Sequence, residues 1–337
     1  MEMLTIKRMF KAQVLCAGLV AGMLAAPVFA DSKGGKKLAA DRVKGDLSVM
    51  VLGSGGPVAT AEGRASAGYL IFTDGKPRIL MDVGGGTFKS LAESGVNVKD
   101  LDLVLLSHLH IDHTGDLSSV IKTIYFHNAG AGVERNAPIR IWGPASSNAG
   151  FSNTTDYVDG HYAMPNGVER YLNGFTGVIH AGTFNYAAHD LNSDWMTGEP
   201  ELVLDEDGLK VTAMPVKHAT VPAVAYRIEY KGKSIVYSGD TNSELGNMAM
   251  IAKEADLLIY DTAIMDTHPN PAMLQLHTTP SRMGAVAAEA MAKSLVLSHI
   301  TPNTAPNLGE VKRLVRAQGY MGKIKAAEDL EVFNLRD

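Results

Sequence analysis

Ser107-His108-Leu109-His110-Ile111-Asp112-His113-Thr114-Gly115 decides how this chain is read. Three imidazoles and one carboxylate fall within six residues, directly after Leu101–Ser107 (LDLVLLS), an apolar run that predicts a buried strand. A strand end fixes the backbone. While extended geometry lasts, His108 and His110, two apart, point to one side. Asp112 and His113 follow the turn and reach a neighbouring point. Imidazole nitrogen and carboxylate oxygen are natural ligands for zinc and related first-row ions. A polar loop of solvated histidines is the bland reading, and the density of ligand types in one place argues against it.

One segment does not close a metal site, so partners are sought at other strand ends. His218 follows the expected strand Leu209–Pro215, Asp240 follows Ser234–Tyr237, and His299 follows Leu295–Ser298. Each alone reads more simply as a satisfied polar residue or a helix cap. Together with His108, His110, Asp112 and His113 they make seven ligand candidates. That is too many for one tetrahedral ion, but it suits two ions sharing a bridging carboxylate.

Working outward, Leu47–Leu52 reads as a strand ending in the turn cluster Gly53–Pro57. Tyr69–Thr73 and Arg78–Asp82 form a hairpin through Asp74-Gly75. Helices are expected over Thr87–Ser94, Asp116–Phe126, Glu244–Ala255, Pro280–Ala292 and Leu308–Gln318. Further strands are expected at Ile139–Trp142, Val224–Tyr230, Leu257–Asp261 and, as one final strand, within Ile324–Phe333. Strands open each half and helices come later. That order predicts an α/β chain with two sheets face to face and helices outside. Residues 145–200 are rich in Asn, Gly and aromatics and lack strong periodicity. They read as an insertion, serving either as a lid over substrate or as peripheral helices packed by their aromatic rings.

The 337 residues, 46% hydrophobic and 20% charged, exclude a disordered or repeat-fibre chain. A formal charge of −5 gives no basic field for nucleic acid. Cys16 is the sole cysteine, which excludes an intrachain disulfide and a thiolate zinc site. Lys7, Arg8 and Lys11 precede an apolar run from Ala12 to Ala26, followed by Pro27-Val28-Phe29-Ala30. That pattern predicts a secretory signal peptide over residues 1–30, cleaved after Ala30, and a periplasmic or secreted protein. An uncleaved anchor fits less well, because the run is short for a membrane span. Removing the segment, with its three cations and Glu2, takes the formal charge from −5 to −7. Residues 31–46 read as a flexible lead-in, and 47–337 as the working domain. No later apolar run is long enough to anchor the mature chain.

His108-x-His110-x-Asp112-His113 resembles the metal-binding signature of the metallo-β-lactamase fold superfamily, and other motifs resemble its ribonuclease Z-like branch. These are Gly239-Asp240-Thr241, His218 before Ala225-Tyr226-Arg227-Ile228, the box His277-Thr278-Thr279, and Leu297-Ser298-His299-Ile300. Gly53-Ser54-Gly55 with Arg64, and Met81-Asp82-Val83-Gly84, match as well. The likeness runs from about Leu47 to Phe333. It implies an αββα sandwich of two mixed β-sheets with external helices, and two divalent ions, most simply Zn2+. It assigns His108, His110 and His218 to the first ion, Asp112, His113 and His299 to the second, and Asp240 as the bridge. It implies a hydroxide between the ions as nucleophile, oriented by Asp112, with His277 as general acid and Asp261 orienting His277. Asp82 reads either as a brace for a ligand imidazole or as a turn carboxylate.

The chain departs from ribonuclease Z proper at Gly84-Gly85-Gly86, where Gly-Glu-Gly is usual, and at Asp261, where glutamate is commoner. Short-form members insert a basic, glycine-rich arm between the third histidine and Gly-Asp-Thr. Here those positions are 22 residues apart, room for one hairpin. The expectation is therefore an exported dinuclear zinc hydrolase of small anionic esters, an aryl or alkyl sulfate ester or a phosphodiester, with Arg64 binding an ester oxygen. A lactonase or β-lactamase-type hydrolase is the alternative. A tRNA 3′ endonuclease is less favoured, and a non-catalytic metal-binding protein is the alternative class. The expected partner is a small-molecule ester, without nucleic acid. A homodimer is left open.

Overall fold

The computed structural model describes residues 37–336. The expected signal peptide, Cys16 and residues 31–36 of the lead-in lie outside the described residues. Two seven-stranded sheets form the fold. The first runs β14-β1-β2-β3-β4-β5-β6. Its strands are β1 (Leu47–Gly53), β2 (Gly68–Thr73), β3 (Lys76–Val83), β4 (Leu103–Leu105), β5 (Ile139–Pro144), β6 (Tyr186–Leu191) and β14 (Val332–Leu335). The second runs β13-β12-β11-β10-β9-β8-β7. It comprises β7 (Glu201–Glu206), β8 (Leu209–Pro215), β9 (Val224–Tyr230), β10 (Lys233–Tyr237), β11 (Leu257–Asp261), β12 (Ser294–Ser298) and β13 (Lys323–Ala326).

Each sheet joins an antiparallel part to a parallel part. β14, β1, β2 and β3 pair antiparallel, and β3 to β6 parallel. β7 to β10 pair antiparallel, and β10 to β13 parallel. The inner faces meet through Val49, Val51, Tyr69, Ile71, Met81, Val211, Tyr226, Ile228, Ile259 and Val296. Outside the first sheet lie α1 (Thr87–Ser94), α3 (Leu117–Gly130), α4 (Thr154–Tyr162) and α5 (Leu172–Val178), and the single turn α2 (Ile111–Thr114) precedes α3. Outside the second lie α6 (Asn247–Ile251), α8 (Pro280–Glu289) and α9 (Leu308–Ala317), while α7 (Pro271–Leu276) borders the site. A strand covered on both faces is apolar throughout rather than alternating, which explains why β1, LSVMVLG, is buried along its whole length. The expected αββα sandwich of two mixed sheets is the fold found.

Four expectations need correction. The final strand within 324–333 is two strands, β13 and β14, one in each sheet, and the turn between them carries the chain across the sandwich. The 145–200 segment does not stand apart as an insertion. β6 extends the first sheet, and Tyr162 and Phe184 pack into the core with α4 and α5. Of its eight aromatic residues Tyr162 and Phe184 are buried, Tyr171 is exposed, and the other five are half-buried. The helix expected over 244–255 shrinks to α6, since Asn242, Ser243 and Glu244 are held in turns beside the site. The described end of the lead-in is tied down. Ala40–Arg42 form a 3-10 turn, Arg42 donates to the Leu330 carbonyl at 2.6 Å, and the Lys44 N–H donates to Asn334 at 2.6 Å.

Candidate metal centre

The site sits at the carboxyl ends of the strands, the usual position for function in open α/β sheets. β4 stops at Leu105, three residues short of His108, so His108, His110 and the turn α2 form the loop above it. Asp82 is the penultimate residue of β3, β10 leads to Asp240, β11 ends with Asp261, and β12 leads to His299. Asp82 and His299 have φ of +52° and +54°. Non-glycine residues hold this left-handed conformation only where surrounding contacts over-determine it, which is common at functional sites. Gly239 has φ +55°, and a Cβ there would lie 2.8 Å from Ser107 Cβ. Glycine thus lets the Asp240 loop close onto the histidine loop.

Three ligand sets converge. The donor atoms of His108, His110 and His218 lie within 4.8 Å of one another, as do those of Asp112, His113 and His299, and those of His108, His113 and Asp240. Asp240 joins the halves. Its Oδ2 is 4.0 Å from both His108 Nε2 and His218 Nε2, and 3.4 Å from His299 Nε2. Its Oδ1 is 3.5 Å from His113 Nε2. All seven expected ligands are therefore brought together. The donor atoms of Asp240, Asp261, His277 and His299 also lie within 4.8 Å of one another. Here, however, Asp261 Oδ2 already accepts a 2.8 Å hydrogen bond from His277 Nδ1.

The outward nitrogens are fixed by their partners. His218 Nδ1 donates to the Leu276 carbonyl at 2.7 Å, and His113 Nδ1 donates to Asp82 Oδ2 at 2.7 Å. Each bond selects the tautomer that leaves Nε2 as a lone-pair donor into the centre. His108 Nε2, His113 Nε2, His218 Nε2 and Asp240 Oδ1 are all buried without a hydrogen-bond partner. Buried unsatisfied polar atoms each cost about 1–3 kcal/mol, and four aimed at one another point to cations between them. Nitrogen and oxygen donors without thiolate fit Zn2+ and similar divalent ions. The residues present thus fit a divalent-metal centre.

Electrostatics separate the two halves. Burial holds His108 well below the ordinary imidazole value, with neighbouring His113 adding to the effect. Burial likewise lowers His110, and takes His218 to about 3. For His113 burial pulls the same way, but Asp240 and Asp82 outweigh it and raise the group well above its ordinary value. His299 is raised too, burial being overcome by Asp240 and Asp112. Asp240 is held well below the ordinary carboxylate range by His299 and His113, against its burial.

His277 and Asp261 lie beside this cluster. His277 Nδ1 is 3.7 Å from Asp240 Oδ2, and its ring stands 5.4 and 5.5 Å from those of His218 and His299. Burial opposes its charged form, but the charge and hydrogen bond of Asp261, with Asp240, lift it to about 9. The box His277-Thr278-Thr279 positions it. Thr278 Oγ1 donates to the Thr241 carbonyl at 2.6 Å, and Thr279 caps α8 with Pro280 at its first position.

Of its two readings, Asp82 is the brace. Besides His113 it accepts from the Ser107 N–H at 2.7 Å, from Ser107 Oγ at 2.6 Å and from the Tyr237 hydroxyl at 2.7 Å. Sequence reasoning missed Ser107 and Tyr237. The only sequence signal for them is their place at ends of strands that lead into ligands. Arg64, expected to bind an ester oxygen, is hydrogen-bonded within the fold. Its Nη1 donates to Ser54 Oγ at 2.6 Å and to the Ala327 carbonyl at 2.8 Å. It lines an open cavity of about 630 Å³ with Thr60, Glu62 and Ile300, and none of the seven ligands lines that cavity. This placement favours a bracing role over the expected contact with an ester oxygen.

A family model described as a Beta-lactamase superfamily domain matches residues 78–300, which hold all seven ligands. The chain belongs to the metallo-β-lactamase superfamily. Ribonuclease Z of Mycolicibacterium paratuberculosis is 28% identical over 291 residues, covering 84% of this chain and 96% of that protein. The crystal structure of human tRNase Z, short form, matches with a TM-score of 0.61 at 22% identity, over 85% of this chain and 98% of that one. A diphosphatase from the PhnP family matches with a TM-score of 0.57 at 20% identity, over 85% and 96%. Within the metallo-β-lactamase superfamily the chain is of the ribonuclease Z-like branch. The expected superfamily and branch both hold, and with them the coarse chemistry of a metal-dependent hydrolase.

Proposed function

We propose that this chain is an exported dinuclear zinc hydrolase of small anionic esters, with phosphodiesters favoured over aryl or alkyl sulfate esters. His277 carries the reading. It stands beside the ligand cluster with Nδ1 committed to Asp261 at 2.8 Å, which leaves Nε2 to hold a proton for a departing oxygen. His108, His110 and His218 would hold one ion, Asp112, His113 and His299 the other, and Asp240 both. When bound, divalent ions in such a site lower the pKa of water towards neutrality and offset negative charge on the reacting oxygens.

The chain's own residues do the rest. At neutral pH His277, lifted to about 9, carries its proton, and Asp261 holds the ring in the orientation that presents Nε2. Protonation of the leaving oxygen contributes about 10²–10⁴-fold in rate. Asp112, at 8% exposure the ligand carboxylate nearest solvent, would orient the attacking water. Ile111 stands between His110 and Asp112 and is 80% exposed, an apolar contact for the alcohol half of the ester. Between His218 and Asp240 the chain makes only the β9–β10 hairpin, turned at Lys231-Gly232, which suits a small ester better than tRNA. Names among the relatives favour phosphoryl over sulfuryl transfer.

The test is turnover by the zinc-loaded mature protein of bis-nitrophenyl phosphate, nitrophenyl sulfate and a homoserine lactone. The diester is expected to turn over fastest. A faster sulfate ester would move the substrate class, and hydrolysis of the lactone alone would replace the reading with a lactonase. Export rests on the leader pattern of residues 1–30. It predicts an N-terminus at Asp31 for the protein recovered from the periplasm or medium.

A further inference from the structure

His299 is the one ligand whose backbone is held in the left-handed region, with φ +54°. A residue in that region stays there only if its neighbours hold it. Those neighbours are distant in sequence. The Ile300 N–H donates to the Ser54 carbonyl at 2.9 Å, and Gly55 bridges to both Ser66 and Ile300. The His299 ring rests on Gly56, where a Cβ would come within 2.8 Å of His299 Cε1. Ser54-Gly55-Gly56 is thus the bed on which His299 lies.

That bed is fastened by two side chains. Asp329, in the turn between β13 and β14, accepts from the Ser54 N–H at 2.9 Å and from Ser54 Oγ at 2.7 Å through Oδ1. Its Oδ2 accepts from the Ala65 N–H at 2.7 Å. Arg64 Nη1 donates to the same Ser54 Oγ at 2.6 Å and to the Ala327 carbonyl at 2.8 Å. The Ala327 N–H in turn donates to the Leu297 carbonyl at 2.8 Å, on the strand that delivers His299. The crossing between the sheets, the glycine loop and the His299 strand end therefore form one closed set of hydrogen bonds. The first triad is held otherwise. His108 Nδ1 is hydrogen-bonded to Ser107 Oγ at 3.1 Å, and His218 hangs from the Leu276 carbonyl.

We propose that Asp329 and Arg64 are positioning residues for His299. They set the retention of the second ion and leave the first ion alone. The inference rests on the two-ion reading above. It assigns to Arg64 a task distinct from binding the ester.

The experiment is a stepwise Zn2+ titration of the metal-free protein against a chromogenic chelator, for wild type, Asp329→Asn and Arg64→Met. The binding step lost in His299→Ala identifies the second ion. Asp329→Asn keeps the volume but sets an amide donor against backbone donors. Second-ion affinity is expected to fall by about tenfold or more, the range seen when partners supporting metal ligands are removed. First-ion affinity should stay unchanged. The kcat at limiting zinc should fall with KM unchanged, and excess zinc should restore it. If Asp329→Asn does not fold, Arg64→Met carries the same expectation. Equal weakening of both ions, or no weakening of either, overturns the proposal. So does a raised KM in Arg64→Met with both zinc affinities intact, which would return Arg64 to substrate. A wild-type protein that takes up a single ion would sink the two-ion reading itself. Two ions in wild type with undisturbed variants sinks the clamp alone.

Discussion

His108, His110 and His218 meet as a crowd of imidazoles, with ring centroids 4.6, 4.9 and 5.2 Å apart. Asp112, His113 and His299 are instead interleaved with carboxylates. Asp82 stands behind His113, Asp261 lies 3.5 Å from His299 Nδ1, and Asp240 faces both. The same side-chain types therefore reach opposite states. Burial keeps the first triad neutral, ready to donate lone pairs. Neighbouring carboxylates instead raise His113 and His299 above the ordinary imidazole value. What differs is the second layer of residues, and each prediction below removes one part of it.

Asp240→Ala should have the largest effect, because Asp240 is the carboxylate that faces both halves. Metal content, measured by mass spectrometry after dialysis, is expected below two ions per chain, with hydrolysis near background. A variant that keeps its full metal content would remove Asp240 as the bridge and dissolve the comparison. His277→Ala comes next. It should keep its metal and lose about 10²–10⁴-fold in kcat, most for poor leaving groups. Equal losses across a leaving-group series would take His277 out of proton transfer.

Asp82→Asn sharpens the contrast, because Asp82 holds His113 of the second triad directly and reaches His108 of the first only through Ser107. The asparagine amide would oppose the His113 Nδ1–H donor that Asp82 now accepts at 2.7 Å. Second-ion affinity should weaken by about 10–100-fold and first-ion affinity by less. The check is the same two-step zinc titration, with circular dichroism to show the fold intact. Equal weakening of both steps would show that Asp82 supports the sheet rather than one ligand.

The ligands were legible because each follows an apolar strand, so periodicity and residue type coincide at one place in the sequence. His108, His110, Asp112 and His113 needed only their spacing. The supporting layer was not legible in the same way. Asp82 and Tyr237 lie 155 residues apart and meet only because the two sheets face each other. Arg64, which goes with Gly53-Ser54-Gly55 in the family pattern, is expected from its charge to bind an ester oxygen. Ser54 and the carbonyl of Ala327, 263 residues away, claim it instead. The final apolar run conceals a crossing between sheets, since β13 and β14 carry strand composition without a turn signal such as glycine or proline between them. β6 and α7 were missed for lack of buried periodicity. β6 is mostly half-exposed, and α7 buries no residue.

The pH effect is graded rather than all-or-none, and it tests the protonation contrast directly. A ligating imidazole must be neutral, so metal uptake by a protonated histidine releases a proton. In the metal-free protein His113 and His299 titrate above their ordinary value of 6.5, and His108, His110 and His218 below it. As pH falls from 8 towards 6, protons therefore compete for the second triad while the first remains neutral. Second-ion affinity should drop by about tenfold per pH unit for each proton displaced, and first-ion affinity should change little. Calorimetric zinc titrations in buffers of different ionisation enthalpy count the protons released at each step. Equal proton release in both steps would erase the electrostatic difference between the halves, even if both ions bind as expected.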